Sequence, residues 1–379
     1  MGDVGAAAFR LCYGALHVVP RPEYRDLGHS LDAPGAAAEL ERFIDWDATA
    51  QLRRDLDAHG VGVAEAMDTA QRFFLGWPAA RRLIAETGAL GLASGFCAGA
   101  GTDQAPRVDG LTDLVDAVVE QCAYISSHGG VPVILPMPWL SEQRASESQY
   151  VDVYAAIIRQ VRGPVFVHWL GPMFLPSLAG YFPGRSFDKV MELDPSVVRG
   201  CKLSLLDRGF EERVRRRLLE REQLVLTGDD FHFGQLIKGD GAAPTRTTKV
   251  GDKEVALGDF SHALLGILDA TAQPTRAALD ALARGDEAEF SRRMERCEAL
   301  GQHVFGAPTQ HYKAGLAFLA WLNGQQEHFL LINREDRARD RGHYLRCAAL
   351  AREAGCVRDE ATFAARLAEF EAGPWPDAP

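Results

Sequence analysis

The 379-residue sequence predicts an α/β chain folded as a (β/α)8 TIM barrel with a C-terminal helical extension, and three observations carry that expectation. From Arg10 onward, short apolar runs alternate with amphipathic segments, the pattern of βα units that build a parallel sheet. The apolar runs number eight, the count that closes such a barrel. Beyond the eighth run only helical periodicity remains. The expected division is a barrel over residues 1–270 and a helical extension, packed on it, over residues 271–379.

The expected strands are residues 11–19, 61–66, 90–97, 131–135, 164–168, 197–205, 223–226 and 263–268. Apolar residues at helical spacing fill 47–59, 78–86, 111–128, 149–161, 210–221 and 231–237 between them. Asp47 and Thr112 are candidate N-caps, and Gly60 and Gly129 stand where a helix ends in a left-handed residue. After the last strand, helices are expected at 275–284, 287–304 and 309–323, the first opening after Gln273-Pro274 and the second at the cap signal Arg284-Gly285-Asp286. Polar, charged segments follow to the end. The stretch from Gly239 to Phe260, rich in Gly, Thr, Lys and Asp, predicts a long loop or small hairpin of the kind that forms lids or contact surfaces. The only biased tracts are Ala36 to Ala38 and a Pro-rich tail at 374–379.

A hydrophobic fraction of 47% supports a large core, and a formal charge of -11 argues against nucleic acid, which needs a basic face. Arg213, Arg215, Arg216 and Arg217 do cluster, but Glu211, Glu212, Glu220 and Glu222 flank them, as on a solvated helix face. Seven scattered cysteines without a Cys-x-x-Cys pair give neither a zinc ribbon nor a disulfide framework, and the odd count fits reduced thiols. Met1 to Arg10 lacks the pattern of a signal peptide, and no apolar run is long enough to span a bilayer. A cytoplasmic protein with no nucleic-acid or membrane partner is expected.

Lys202 is the most informative residue. It alone of six lysines lies in a strongly apolar run, Val197-Val198-Arg199-Gly200-Cys201-Lys202-Leu203-Ser204-Leu205-Leu206, where an ammonium is costly to bury. Strand alternation puts Val198, Gly200, Lys202 and Ser204 on one face and Cys201, Leu203 and Leu205 on the other, with Gly200 leaving room beside the amine. A desolvated amine loses its proton more readily and becomes a nucleophile toward carbonyls. The structural alternative is a lysine paired with a carboxylate in the core.

Barrel chemistry gathers at the C-terminal strand ends. Those ends here carry His17, Asp68, Thr69, Thr102, Asp103, Pro136 to Trp139, His168, Trp169, Lys202, Ser204, Gly228-Asp229-Asp230 and Asp269. Of the adjacent Asp229 and Asp230, one can face the pocket while the other caps the next helix. A metal set of Asp68, His168, Asp230 and His232 is an alternative, though no two of these have diagnostic spacing. No dinucleotide fingerprint, Walker lysine or Gly-x-Ser-x-Gly elbow is present, and Gly99-Ala100-Gly101-Thr102-Asp103 reads as a tight turn.

The order of motifs resembles the dihydrodipicolinate synthase and N-acetylneuraminate lyase superfamily of class I aldolases, closest to its branch of unknown function, family 993. Pro164-Val165-Phe166-Val167-His168-Trp169-Leu170-Gly171-Pro172 is similar to that family's fifth strand, Gly200-Cys201-Lys202-Leu203-Ser204 to the sixth with its Schiff-base lysine, Gly228-Asp229-Asp230 to the seventh and residues 131–139 to the fourth. The resemblance spans residues 10 to 325 and implies a barrel with a helical extension and a covalent imine on Lys202, without a cofactor. A homo-oligomer is also expected, with the apolar helix bearing Phe318, Leu319, Trp321 and Leu322 serving as interface or barrel cover, and Lys313 as a surface or interface lysine.

Two departures bear on substrate and mechanism. Where the superfamily usually has Gly-Thr-Thr-Gly-Glu to hold a 2-oxo acid carboxylate, this chain reads Ala66-Met67-Asp68-Thr69-Ala70-Gln71, and Asp68 would repel a carboxylate. A polyhydroxylated neutral ketone, such as a keto sugar or cyclitol derivative, suits it better. At the position of the family's proton-relaying tyrosine, His168 is preferred over Trp169, because indole transfers no proton. The expectation is a Schiff-base lyase, a retro-aldolase or dehydratase, with Lys202 and His168 catalytic and Asp68, Thr69, Ser204 and Asp230 holding substrate beside a wall formed by Trp169. The alternatives are a metal-dependent isomerase or epimerase, and an inactive metabolite-binding barrel.

Overall fold

The computed structural model describes residues 10–373 apart from 106, 242, 243 and 245, so the N-terminal stretch before Arg10 and the Pro-rich tail lie outside the described residues. Seven strands alternate with helices: β1 (Cys12–Ala15), β2 (Gly62–Glu65), β3 (Phe96–Ala100), β4 (Val131–Ile134), β5 (Val165–Leu170), β6 (Val198–Ser204) and β7 (Leu224–Thr227). A hairpin of β8 (Arg246–Val250) and β9 (Lys253–Leu257) precedes the eighth barrel strand, β10 (His262–Leu265). Neighbours pair in parallel all round, and β10 bridges β7 to β1, so the sheet closes without an edge. The TIM barrel expected from the sequence is the fold observed.

Period-two alternation sorts the strand residues. Tyr13, Ala15, Ala64, Cys97, Val133, Phe166, Leu226 and Leu264 form an inner cluster, while Val63, Ala98, Ile134, Val167, Cys201, Leu203 and Leu265 pack outward against the helices. Each such fully buried aliphatic side chain contributes about 1.5–3 kcal/mol relative to exposure.

The 239–260 stretch does form a hairpin, but it is no lid over the strand ends. Being a connection from a helix into β10, it emerges at the N-terminal end of the barrel. There Val250, Val255 and Leu257 plug the interior against Tyr13 and Leu224. Lys253 Nζ donates to Ser94 O at 2.7 Å and Arg199 Nε to Lys249 O at 2.8 Å, both beside strand starts.

Other boundaries differ for local reasons. The third strand begins at Phe96, because Leu90 caps the helix ending at Ala89 and Gly91 turns the chain with a positive φ. The helix over 78–86 extends to Ala89 and starts beyond a break at Gly76 (φ 65°), where Pro78 suits a first turn. Asp45 rather than Asp47 caps helix Trp46–Asp57, and Gly110 rather than Thr112 precedes helix Leu111–Ser127, with Asp113 accepting from Gly110 N. Gly60 and Gly129 do take positive φ after their helices.

The helix expected from residue 275 begins at Leu268 and carries Pro274 within it. It packs on β1. Helices Glu287–Val304, Lys313–Leu322, Arg341–Ala354 and Glu360–Ala372 follow, the last two in a region read as polar segments. Their burial explains them: Tyr344, Cys347, Leu350 and Phe363 face the core between charged turns. Every residue of Lys313–Leu322 is buried within the single chain, where the helix packs against the other helices of the extension, so it is not a free interface. Among the described residues no helix is long and apolar enough to cross a membrane.

Candidate active site

A cavity of about 300 Å³ opens at the C-terminal ends of the barrel strands. Lys202 lines it from β6. Among the described residues its ammonium makes no ion pair or hydrogen bond, so the alternative of a core lysine neutralised by a bonded carboxylate is not what the chain builds. Burial pushes its pKa down to about 8, against the opposing fields of Asp230, Cys97 and Asp68. A sizeable fraction is therefore neutral amine near physiological pH, the form able to attack a carbonyl.

The glycine that makes room for this lysine is not Gly200. A Cβ on Gly200 would lie 2.2 Å from Leu224 O, so Gly200 serves the close approach of β7. At Gly228, just past β7, a Cβ would lie 2.2 Å from Ser204 Oγ and 2.8 Å from Lys202 Cε. Any side chain there would displace both groups.

His168 is paired in register with Lys202 across β5 and β6, two strands about 4.8 Å apart. Its Nε2 lies 3.2 Å from Ser204 Oγ, and its buried Nδ1 has no hydrogen-bond partner among the described residues. Burial, and then the charge of Lys202, hold its pKa well below the ordinary histidine range, so the imidazole is neutral and able to accept a proton. Trp169, the next residue, points the other way. It packs outside the barrel with ring centroids 5.2 Å from Phe182, 4.8 Å from Phe187 and 5.4 Å from Phe210, and does not line the cavity. The expected Trp169 wall is thus corrected by strand alternation itself: with His168 inward, its neighbour must face the helices.

Asp230 faces the cavity and accepts from Ile267 N at 2.9 Å. Burial raises its carboxyl to about 7. Asp229 takes the capping role, accepting from Phe231 N and His232 N and pairing with His232 Nδ1 at 2.9 Å. His232 therefore lies with Asp229 and not in the cavity, and Asp68, His168, Asp230 and His232 do not converge as metal ligands. His17 and Asp269, also at strand ends, pair with each other at 2.6 Å away from the cavity.

Because its charge raises the pKa of Lys202, Asp230 sets the pH at which the amine becomes free. Reductive trapping of dihydroxyacetone by cyanoborohydride is expected to rise with pH through about 8 in the wild type. In Asp230→Asn, which keeps an acceptor for Ile267 N, the rise moves to lower pH. A rise left in place or moved upward would show that Asp230 does not act on the lysine.

Asp68 and Thr69 reach the cavity from the loop after β2, and both are tied to the C-terminal extension. Thr69 Oγ1 is 2.7 Å from Tyr312 OH, and Asp68 Oδ2 is 3.2 Å from Lys313 Nζ, which also lies 3.5 Å from Glu335. Lys313 is accordingly no surface lysine. Burial works against its charge, but Asp68 and Glu335 hold its pKa above the ordinary lysine value. Lys313 offsets part of the Asp68 charge, which weakens the repulsion argument taken from the sequence.

Several lining residues were not singled out in the sequence, among them Arg72, Phe305 and Tyr312. Arg72 is the other cation of the cavity wall, and it is fully committed. Nε and Nη2 grip Asp103 at 3.0 and 2.7 Å, Nη1 donates to Ala66 O and Gly99 O, and Nη2 reaches Gln121. All five donors of its fork are used, so it is a brace between strand ends and not an anion receptor. Tyr312 stacks on Phe305, with ring centroids 4.2 Å apart. Both come from the extension, where a rule about strand ends cannot reach. Leu170, Phe174, Leu175 and Leu178 make one part of the wall apolar.

The closed parallel barrel with its flanking helices has known counterparts in fold. The fold is similar to that of dihydrodipicolinate synthase from Oceanobacillus iheyensis, with 14% identity, a TM-score of 0.66, and coverage of 92% of this chain and 98% of that one. It is likewise similar to N-acetylneuraminate lyase from Fusobacterium nucleatum complexed with pyruvate, at 15% identity, a TM-score of 0.62 and the same coverage of each chain. The chain belongs to the family described as "Protein of unknown function (DUF993)", whose model matches residues 3–372. No curated protein matches it in sequence.

Proposed function

We propose that this chain is a Schiff-base-forming lyase, a retro-aldolase or dehydratase, acting on an uncharged polyhydroxylated keto compound such as a keto sugar or cyclitol derivative. The observation that carries the reading is Lys202: an amine buried on the wall of the barrel cavity, unpaired among the described residues and with its pKa lowered. The likeness of fold to a lyase and a synthase supports it.

In this reading the neutral Lys202 amine adds to the substrate carbonyl and the carbinolamine loses water, leaving an iminium that draws electrons from the neighbouring carbon. In aldol cleavage a base takes the proton of the β-hydroxyl, the C–C bond breaks to an aldehyde and an enamine, and carbon protonation and hydrolysis release the second product. In dehydration the base takes the proton next to the iminium and the β-hydroxyl leaves as water. His168 would accept that proton through Nε2, a reading supported by its contact with the Ser204 hydroxyl beside Lys202. Asp230, Asp68 and Thr69 supply acceptors for hydroxyls, and the apolar wall takes the C–H face of a ring.

The uncharged substrate is supported by the cations. Of the two that line the cavity, Lys202 is the nucleophile and Arg72 has no donor left for a carboxylate or phosphate. The test is cyanoborohydride trapping against parallel panels of keto sugars and 2-oxo acids, with the modified peptide located by mass spectrometry. An adduct on Lys202 with keto sugars is expected. An adduct with 2-oxo acids alone would retain the imine and refute the substrate class, and adducts confined to other lysines would refute both.

A further inference from the structure

Away from the barrel cavity, His303, near the end of helix Glu287–Val304, meets His343 and Cys347 on helix Arg341–Ala354. One donor atom from each of the three lies within 4.8 Å of the others. His343 and Cys347 stand four apart on one helix face, with Nε2 and Sγ separated by 3.5 Å. That separation is what a tetrahedral zinc demands, since Zn–N of about 2.05 Å and Zn–S of about 2.3 Å at a tetrahedral angle put the two donors about 3.5 Å apart. His303 Nε2 lies 3.0 Å from the backbone oxygen of His343. A carbonyl can only accept, so Nε2 must carry the proton and Nδ1 keeps its lone pair.

We propose that His303, His343 and Cys347 form a binding site for a borderline-soft divalent transition metal of the zinc class, with water as fourth ligand on the half-exposed side. Two imidazoles and a thiol, with no carboxylate, select such an ion over magnesium or calcium. Binding converts the Cys347 thiol to thiolate and releases its proton to solvent. The two imidazole rings stack with centroids 4.4 Å apart, so His303 must turn to bring its nitrogen to the ion. The ion would clamp the two helices together two residues before Phe305, which lines the cavity. Arg339 already holds the intervening loop through Gly306 O and Pro308 O. The site thus fixes the wall that the extension contributes.

Titration of the full-length, metal-stripped chain with Co2+ tests this. One equivalent is expected to give tetrahedral visible bands with a thiolate charge-transfer band in the near ultraviolet, displaced by Zn2+. Cys347→Ser should lose the thiolate band, and His303→Gln and His343→Gln should each weaken Co2+ binding about tenfold or more, since losing a ligand costs at least what losing its outer-shell partner does. Should Cys347→Ser fail to fold, the two histidine variants decide. A wild-type protein without a thiolate band, a band that survives Cys347→Ser, or histidine variants that bind as tightly as wild type would overturn the site.

Discussion

Replacing Lys202 with alanine is expected to reduce turnover of any carbonyl substrate to background and to abolish cyanoborohydride trapping, while the barrel remains folded. The fold survives because, among the described residues, the amine makes no ion pair or hydrogen bond whose partner would be stranded, and Cys201 and Leu203 on the opposite face of β6 keep their packing. Removing a desolvated charge even relieves a cost of a few kcal/mol implied by the lowered pKa. Lys202→Arg is expected to be as inactive. A guanidinium stays protonated and cannot add to a carbonyl, so retained charge without nucleophilicity should rescue nothing. Circular dichroism and thermal unfolding establish that both variants are folded, and turnover is then measured on the substrate found by trapping. Near-wild-type turnover in either folded variant would end the Schiff-base reading, since an electrostatic lysine is all that Lys202→Arg could preserve.

The eight strands and the inward position of Lys202 were legible because they depend on local alternation, and a closed parallel barrel leaves each strand apolar on both faces. The inward position of His168, in register with Lys202, was legible for the same reason. Trp169 was misassigned although the same rule settles it: one residue along a strand reverses the face. The C-terminal contribution was hidden for a different reason. Tyr312 reaches Thr69 across 243 residues of chain and Lys313 reaches Asp68 across 245, and no spacing rule encodes contacts so distant. Lys313 even carried a misleading signal, because an amphipathic reading of its helix placed it on the surface while the fold buries both faces. Gly228 illustrates a third limit. Its need to be glycine comes from Lys202 Cε and Ser204 Oγ on the neighbouring strand, and only the closed sheet brings them there.

His168→Phe is expected to lower the chemical rate by about a hundredfold or more while imine trapping on Lys202 persists, because a general base contributes on that scale and the nucleophile is untouched. The geometry separates the two functions. His168 sits beside Lys202 in register but bonds to Ser204, so its loss removes the proton acceptor without removing a partner of the amine. The charge of Lys202 opposes protonation of His168, which keeps the imidazole in the form that accepts a proton before the iminium exists. Ser204→Ala should fall in the same direction by a smaller factor, since it takes away the hydroxyl that fixes Nε2 and could relay the proton. Trp169→Phe is the control: half-buried and packed against Phe182, Phe187 and Phe210, it should cost about 1 kcal/mol of stability through lost packing and leave the rate unchanged. Single-turnover kinetics with trapped and untrapped fractions measured together distinguish these outcomes. If His168→Phe left the rate within a fewfold of wild type, proton transfer would have to pass to Asp230, the other cavity group whose pKa, raised by burial to about 7, suits it for the task.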